Sequence, residues 1–477
     1  MVLTCAGRLL AGSTYNNNTD QVTLMIDSRN APRDGEEQLR RVLKLPALIF
    51  FGLVYMVPLT IFTTYGIVTE TTGGRTAGAY LVTLAAMLFT AASYGIMVRR
   101  FPVAGSAYSY TNIAFGTHAG FLAGWSLLLD YLFIPMINYL LIGLFLNIAF
   151  PAIPAWVFIL ASIALVTFLN IGGIGSVSKA SNLIVGGQFV FIAVFVALSC
   201  VSAGTDGPLD YLGPLVGDGS KPGLAPLMAG AAILCLSFLG FDAVSTLAEE
   251  TREPRRDVPR AIILTTLIAG ILFALLAYLS QLVMPGSHFE NADAAANEVM
   301  LKAGGQLLAN FFITAYVVGN LGSALASQAA VSRIIYSMGR DKLLPARLFG
   351  TLSPRFGTPV NATLVVSGVS LMALVIDLST LASLISFGAL VAFSAVNLAV
   401  LRTHLLSTTT PAQPRSLLLH GLVPLTGLTL TLWLWTSLSS LTLFIGLAWF
   451  VAGVVYLSVL TGGFRRSVQV TSFPESG

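Results

Sequence analysis

Twelve stretches of mostly apolar residues divide this chain, and its charges are confined almost entirely to the segments between them. A helix that crosses the hydrocarbon of a bilayer needs about 20 such residues. The stretches lie near residues 46–70, 77–98, 119–147, 154–173, 180–202, 224–248, 259–284, 305–327, 359–377, 379–401, 419–437 and 440–461. Inside a bilayer every backbone donor and acceptor must be satisfied within the protein, and the period-2 alternation of a barrel is absent, so the stretches read as helices. Of the 477 residues 55% are apolar and 10% charged. A soluble domain carries about 25% charged residues, and so few charges could not cover a soluble surface. A soluble enzyme, a disordered chain and a secreted disulfide scaffold are excluded. The expected fold is an all-α integral membrane protein with twelve transmembrane helices.

The three cysteines, Cys5, Cys200 and Cys235, suit neither a metal cluster nor a disulfide framework. The four histidines are scattered at 118, 288, 404 and 420, which argues against a metal site. No cofactor is expected. Residues 1–44 are polar and aperiodic and read as an N-terminal tail, with a shorter tail at 463–477. With both tails in the cytoplasm, 22 of the 25 lysines and arginines fall on the inner side, and only Arg75, Lys221 and Lys302 fall outside. This asymmetry fixes the expected orientation and accounts for the net charge of +4 without nucleic acid. The outer segments hold eight acids, Glu70, Asp206, Asp210, Asp218, Glu290, Asp293, Glu298 and Asp377. A negative mouth concentrates cations, although outer loops that simply lack bases give the same count.

Two spans carry interruptions at comparable places. In the first, Pro58 removes a helical donor and clashes with the preceding turn. In the sixth, Gly240 weakens the helix near its middle, two residues before Asp242. Broken helices at matching positions of two halves point to a transporter's midplane site; an ordinary proline kink and a small packing glycine are the bland alternative. Asp130 in the third span and Asp242 in the sixth have apolar neighbours on both sides. A charge at the bilayer centre costs at least about 2.5–3.5 kcal/mol, so each acid needs a partner. A cationic substrate or a proton would serve, as would a structural hydrogen bond to a neighbouring helix. Tyr55, Tyr131, Phe238 and Phe241 are candidate rings for holding an ammonium by cation–π attraction. Glu249 and Glu250, beside Arg252, Arg255 and Arg256, are expected either to lock an inner gate or merely to solvate a helix end.

The stretch Phe101–Tyr110, the run Phe238–Ala243 through Glu249 and Glu250 to Pro254 and Pro259, Ser332–Asp341 and Phe387–Phe393 together resemble the amino acid–polyamine–organocation permeases, over residues 44–461. Gly124–Asn138 and Ser237–Val244 are most similar to bacterial putrescine importers within that superfamily. The resemblance implies a leucine-transporter-type fold of 5 + 5 inverted repeats, at 45–203 and 222–402, with two extra helices at 417–462. It implies a secondary active transporter that imports a small cationic amine by alternating access, with a proton or sodium as coupling ion, in the cell (inner) membrane. The alternative is an α-amino acid permease or an amino acid/amine exchanger. Amino-acid permeases of the superfamily hold the substrate carboxylate on bare N–H groups at a Gly-Ser/Thr-Gly break, where this chain has Pro58-Leu59-Thr60. A diamine has no carboxylate to bind. By the same resemblance Tyr131 and Ile134 line the pocket, carbonyls around Ser237–Gly240 accept from one amine, and Asp242 acts at the inner edge of the site. One departure is Thr63, where putrescine importers carry an acid. Gln188 stands where some proton-coupled relatives place a lysine and others bind sodium, and Ser323 and Ser327 are candidate hydroxyls for an ion. No clustered nucleophile or metal set suggests an enzyme, and the tails are too short for the output domain of a sensor.

Overall fold

The computed structural model describes residues 41, 43–102, 106–172, 177–202, 210–340, 344–353, 356–406 and 416–463. Most of both expected tails, residues 103–105, Asp206, Asp341 and the side chain of Glu249 lie outside the described residues. Most of the rest is helical. The longer helices are α1 (Leu45–Met56), α2 (Tyr65–Thr72), α3 (Thr76–Arg100), α4 (Ser106–Phe115), α5 (Thr117–Ala149), α6 (Ala155–Gly172), α7 (Val177–Ser202), α8 (Leu224–Leu234), α9 (Pro254–Val283), α10 (Ala295–Arg340, broken by a kink at Gly304 and Gly305), α11 (Val360–Ser370), α12 (Leu378–Leu401), α13 (Val423–Thr436) and α14 (Ser440–Thr461). Among the described residues ten helical stretches are long and apolar enough to cross a membrane. Two shorter apolar helices, Gly186–Ser202 and Val360–Leu374, stand where the fifth and ninth spans were expected. The chain is thus an all-α membrane protein.

Local chemistry sets the ends. Pro254 opens α9, where its missing N–H is no loss. Asp377 and Ser439 cap α12 and α14 by accepting from the N–H groups of Thr380 and Thr442. Arg99 and Arg100 close α3, where cations complement the helix dipole. α3 packs along α9, and α5 packs against α10 and α12. The span containing α12 is 72% buried and α14 only 17%, so α12 belongs to the centre and α14 to the rim.

Helix α14 is nevertheless tied firmly to α5. Trp125 Nε1 donates to the carbonyl of Trp449 at 3.0 Å, and Trp449 Nε1 donates to the carbonyl of Trp125 at 2.9 Å. Their rings stack at 4.9 Å, and Tyr456 and Phe121 extend the stack. A Cβ at Gly453 would come within 2.4 Å of Trp125. The four histidines, dispersed in sequence, are not all dispersed in space: His404 and His420 stack at 4.6 Å where α12 ends and α13 begins. Even so, no group of three or more metal-capable side chains forms among the described residues.

Gly453→Leu should force Trp125 out of this stack and, as overpacking does, cost about 1–3 kcal/mol. A thermal melt of the purified variant in detergent should shift down by several degrees; an unchanged melt would show that the α5–α14 clasp carries no stability.

Candidate functional site

The first span is broken where Pro58 requires it. A residue before proline is barred from the helical region, and Val57 takes ψ 100° with φ 51°, a strained value for a β-branched side chain. The chain then winds as a 3-10 turn over Pro58–Thr63 before α2 begins. Of the three residues that would form an anion cradle, Pro58 has no N–H, and the Thr60 N–H donates to the Val57 carbonyl at 2.8 Å. Leu59 alone is left to offer one. The Thr60 hydroxyl donates to the Met56 carbonyl at 2.8 Å and so caps the half-helix end. The Thr63 hydroxyl pairs with the Tyr316 hydroxyl at 2.7 Å.

The sixth span breaks correspondingly. α8 tightens into a 3-10 turn over Cys235–Phe238, Leu239 is extended, and Gly240 sits at φ 119°. Only glycine adopts that value readily, and a Cβ there would lie 2.4 Å from Tyr55 Cδ1. Thus the two breaks touch: the Tyr55 ring rests on the bare Cα of Gly240. Winding resumes at Asp242.

Both intramembrane acids are buried, Asp130 at 4% and Asp242 at 7% exposure. Asp242 Oδ2 accepts from Ser106 Oγ at 3.1 Å, and its Oδ1 accepts from the Gly240 N–H at 3.3 Å. Asp130 Oδ1 has no hydrogen-bond partner. The helix beside it is held close by Gly388 on α12, where a Cβ would meet Asp130 Cβ at 3.0 Å. The two carboxyls lie within electrostatic reach of each other and of Tyr55, Tyr94 and Tyr131.

A cavity of about 400 Å³ adjoins this cluster. It runs along α1 from Ala47 to Val57 and on to Thr60 and Thr63, and is walled by α5 (Ile134, Ile137, Asn138), Gln188, Leu236, Leu239 and the face of α10 from Tyr316 to Ser327. Of the side chains singled out in the sequence, Tyr55, Thr60, Thr63, Ile134, Gln188, Ser323 and Ser327 line it. The two acids do not. Nor do the four rings form one cage. Phe238 packs on Tyr80 and Phe273, and Phe241 on Tyr94 and Phe393, because the unwound Gly240 puts them on different faces. The Ser237 hydroxyl bonds to Tyr80 at 3.0 Å, toward α3. Beyond the break, on the expected outer side, Tyr65 donates to Gln281, and Asp218 accepts from Ser287. The serines at 220 and 287 hold the Asp218 carboxyl down at about 2. At the other end, the Leu43 N–H donates to the Glu250 carbonyl and the Arg252 N–H to Leu43 O, while Arg256 pairs with Glu253 across exposed side chains. Here Glu250 meets the chain through its backbone.

Asn138, Tyr316 and Asn320, which no sequence motif marks as site residues, also line the cavity. Periodicity holds the signal: Asp130, Ile134 and Asn138 follow at fourth residues, and Tyr316, Asn320, Ser323 and Ser327 share one helical face.

The sequence pattern of the family described as amino acid permease matches residues 47–471. The chain belongs to this family. It is 38% identical to the low-affinity putrescine importer PlaP of Escherichia coli (strain K12), over 92% of this chain and 97% of that protein. It is 28% identical to the branched-chain amino acid permease BcaP of Bacillus subtilis (strain 168), over 89% and 94%. It is 30% identical to the vacuolar cationic amino acid transporter 4 of Arabidopsis thaliana, over 77% and 64%. This permease is therefore a multi-pass membrane transporter of amines or amino acids, and not an enzyme.

Gly240→Ala places a methyl against the Tyr55 ring on a backbone that resists it, a strain of about 1–3 kcal/mol. The variant should insert normally yet lose at least about tenfold in uptake of the transported solute; wild-type uptake would show that the contact between the two breaks is dispensable.

Proposed function

We propose that this permease imports a small cationic diamine such as putrescine by alternating access, with a proton as coupling ion, across the cell (inner) membrane. The observation that carries this reading is the buried pair Asp130 and Asp242, neither with a basic partner among the described residues. Neutral donors hold Asp242, and one oxygen of Asp130 is unmet, so the site lacks the positive charge that an ammonium would bring. An α-amino acid would need its carboxylate held as well, and the break at Pro58 offers a single backbone N–H for it. The 38% identity to a putrescine importer agrees.

In this reading the ammonium enters between Tyr55 and Tyr131, whose rings stand in reach of both acids, with Ile134 as the apolar wall. Carbonyls around Ser237 and Gly240 accept from the amine, and Phe238 and Phe241 support the unwound segment from behind. A proton held by the acid pair in the empty site and released when the amine arrives would supply the coupling. The cavity extends toward the Leu45 end of α1 while the far side is tied by Thr63, Tyr65 and Asp218, an arrangement suited to release into the cytoplasm. The matching breaks support two inverted repeats, 45–203 and 222–402, with 417–462 appended. Both tails would then be cytoplasmic, and Glu249 and Glu250 would stand at the inner gate.

Proteoliposomes holding the purified protein should accumulate labelled putrescine saturably, and faster under an inward proton gradient. Asp242→Asn should abolish uptake with expression intact. Absence of saturable uptake, or equal inhibition by neutral α-amino acids, would overturn the reading; unchanged kinetics in Asp242→Asn would remove that residue from the mechanism.

A further inference from the structure

Away from the cavity, α3, α4 and the close of α12 pack together in a corner that supplies bases and no acid. Residues 71–129 and 378–474 contain neither Asp nor Glu. Arg100, the last residue of α3, donates through a guanidinium nitrogen to the Thr403 carbonyl at 2.7 Å and so ties α3 to the turn that follows α12. The adjacent Arg402 lies over the Phe115 ring at the end of α4, 5.2 Å from its centroid. The stack of His404 on His420 holds the opening of α13 against the same turn. Among the described residues Arg402 pairs with no carboxylate. The first turns of α9 stand beside the end of α3, where a Cβ on Gly95 would lie 3.3 Å from Pro259. They bring Arg255, Arg256 and Arg260 against Glu253 and Asp257, and Glu253 is taken by Arg256 at 3.1 Å. The corner also faces outward from the bundle. Leu398, one turn before Arg402 on the same face of α12, is exposed, as are Phe115, Leu418, Leu419 and Leu422.

We propose that this corner holds the phosphate headgroup of an acidic phospholipid, with Arg402 as its principal ligand and Arg100 beside it. A guanidinium matches a phosphate with two parallel N–H bonds, which an ammonium cannot do. Basic surfaces between transmembrane helices at the membrane boundary attract anionic headgroups. The exposed leucines next to the bases choose between two sources of phosphate: a free ion gains nothing from them, whereas acyl chains lie along them. With no acid in either segment to neutralise the arginines, the headgroup supplies the missing negative charge. A lipid seated there fastens the end of α3 to the end of α12, the helix whose Gly388 lies against Asp130.

The test is native mass spectrometry of the purified full chain titrated with phosphatidylglycerol and, separately, with phosphatidylcholine. The wild type should retain phosphatidylglycerol at least about tenfold more tightly than phosphatidylcholine. Arg402→Gln should weaken phosphatidylglycerol at least about threefold and leave phosphatidylcholine unchanged. Arg402→Lys, which keeps the charge and loses the fork, should weaken it less. Arg256→Gln, a base already paired with Glu253, should leave the ratio as in the wild type. The wild-type ratio and Arg402→Lys carry the test should Arg402→Gln fail to insert. Equal retention of the two lipids by the wild type overturns the proposal. An unchanged ratio in Arg402→Gln does the same, as does an equal loss in Arg256→Gln, which would show a general attraction to the basic face. Inorganic phosphate that displaces phosphatidylglycerol at equal concentration would assign the corner to a free anion and overturn the lipid as occupant.

Discussion

A carboxylate buried in a lipid-spanning bundle must be answered by a positive group or a proton, and this permease buries two with no basic partner among the described residues. Asp130 and Asp242 lie on different helices, α5 and the segment after the second break, so their placement depends on the packing of several helices. Gly388 lets α12 close in on the Asp130 side, and Ser106 at the start of α4 holds Asp242. The distant clasp of Trp125 and Trp449 fixes α5 a little more than one turn from Asp130. Elements far apart in sequence thus position the two carboxyls.

The breaks follow from backbone chemistry. Proline at 58 and glycine at 240 end regular winding for opposite reasons: one cannot donate and bars its predecessor from the helix, the other tolerates a φ of 119° that side chains resist. The two failures meet in one contact, the Tyr55 ring on Gly240. The contact joins the two half-helix ends directly. Tyr55 also lines the cavity, which the two acids do not.

Much of the architecture was legible because bilayer physics is strict. Long apolar runs, the two breaks and the intramembrane acids stand out in sequence, and the motif resemblance named the family that the comparisons show. The site itself was less legible. Phe238 and Phe241 are three residues apart and read as one aromatic face, but the unwound Gly240 between them sends them to different neighbours. The expected charged network after Glu249 meets the N-terminal segment as a backbone bridge between Leu43 and Thr251, which no side-chain pattern announces. Asn138 and Asn320 resemble any polar residue that bonds back to its own helix; only the cavity shows that they line a shared space with Gln188. The stacked pair His404 and His420 lies 16 positions apart in sequence and nothing local foretells it.

The central claim is that a buried negative pair without a base, joined to a break that offers almost no N–H, selects amines that lack an acid group. Ornithine is putrescine carrying one α-carboxylate, so the two solutes differ only in the group at issue. Equilibrium binding of each to the purified protein by titration calorimetry tests the claim most directly. Putrescine should bind at least about a hundredfold tighter than ornithine; equal affinity, or tighter binding of ornithine, would contradict the account.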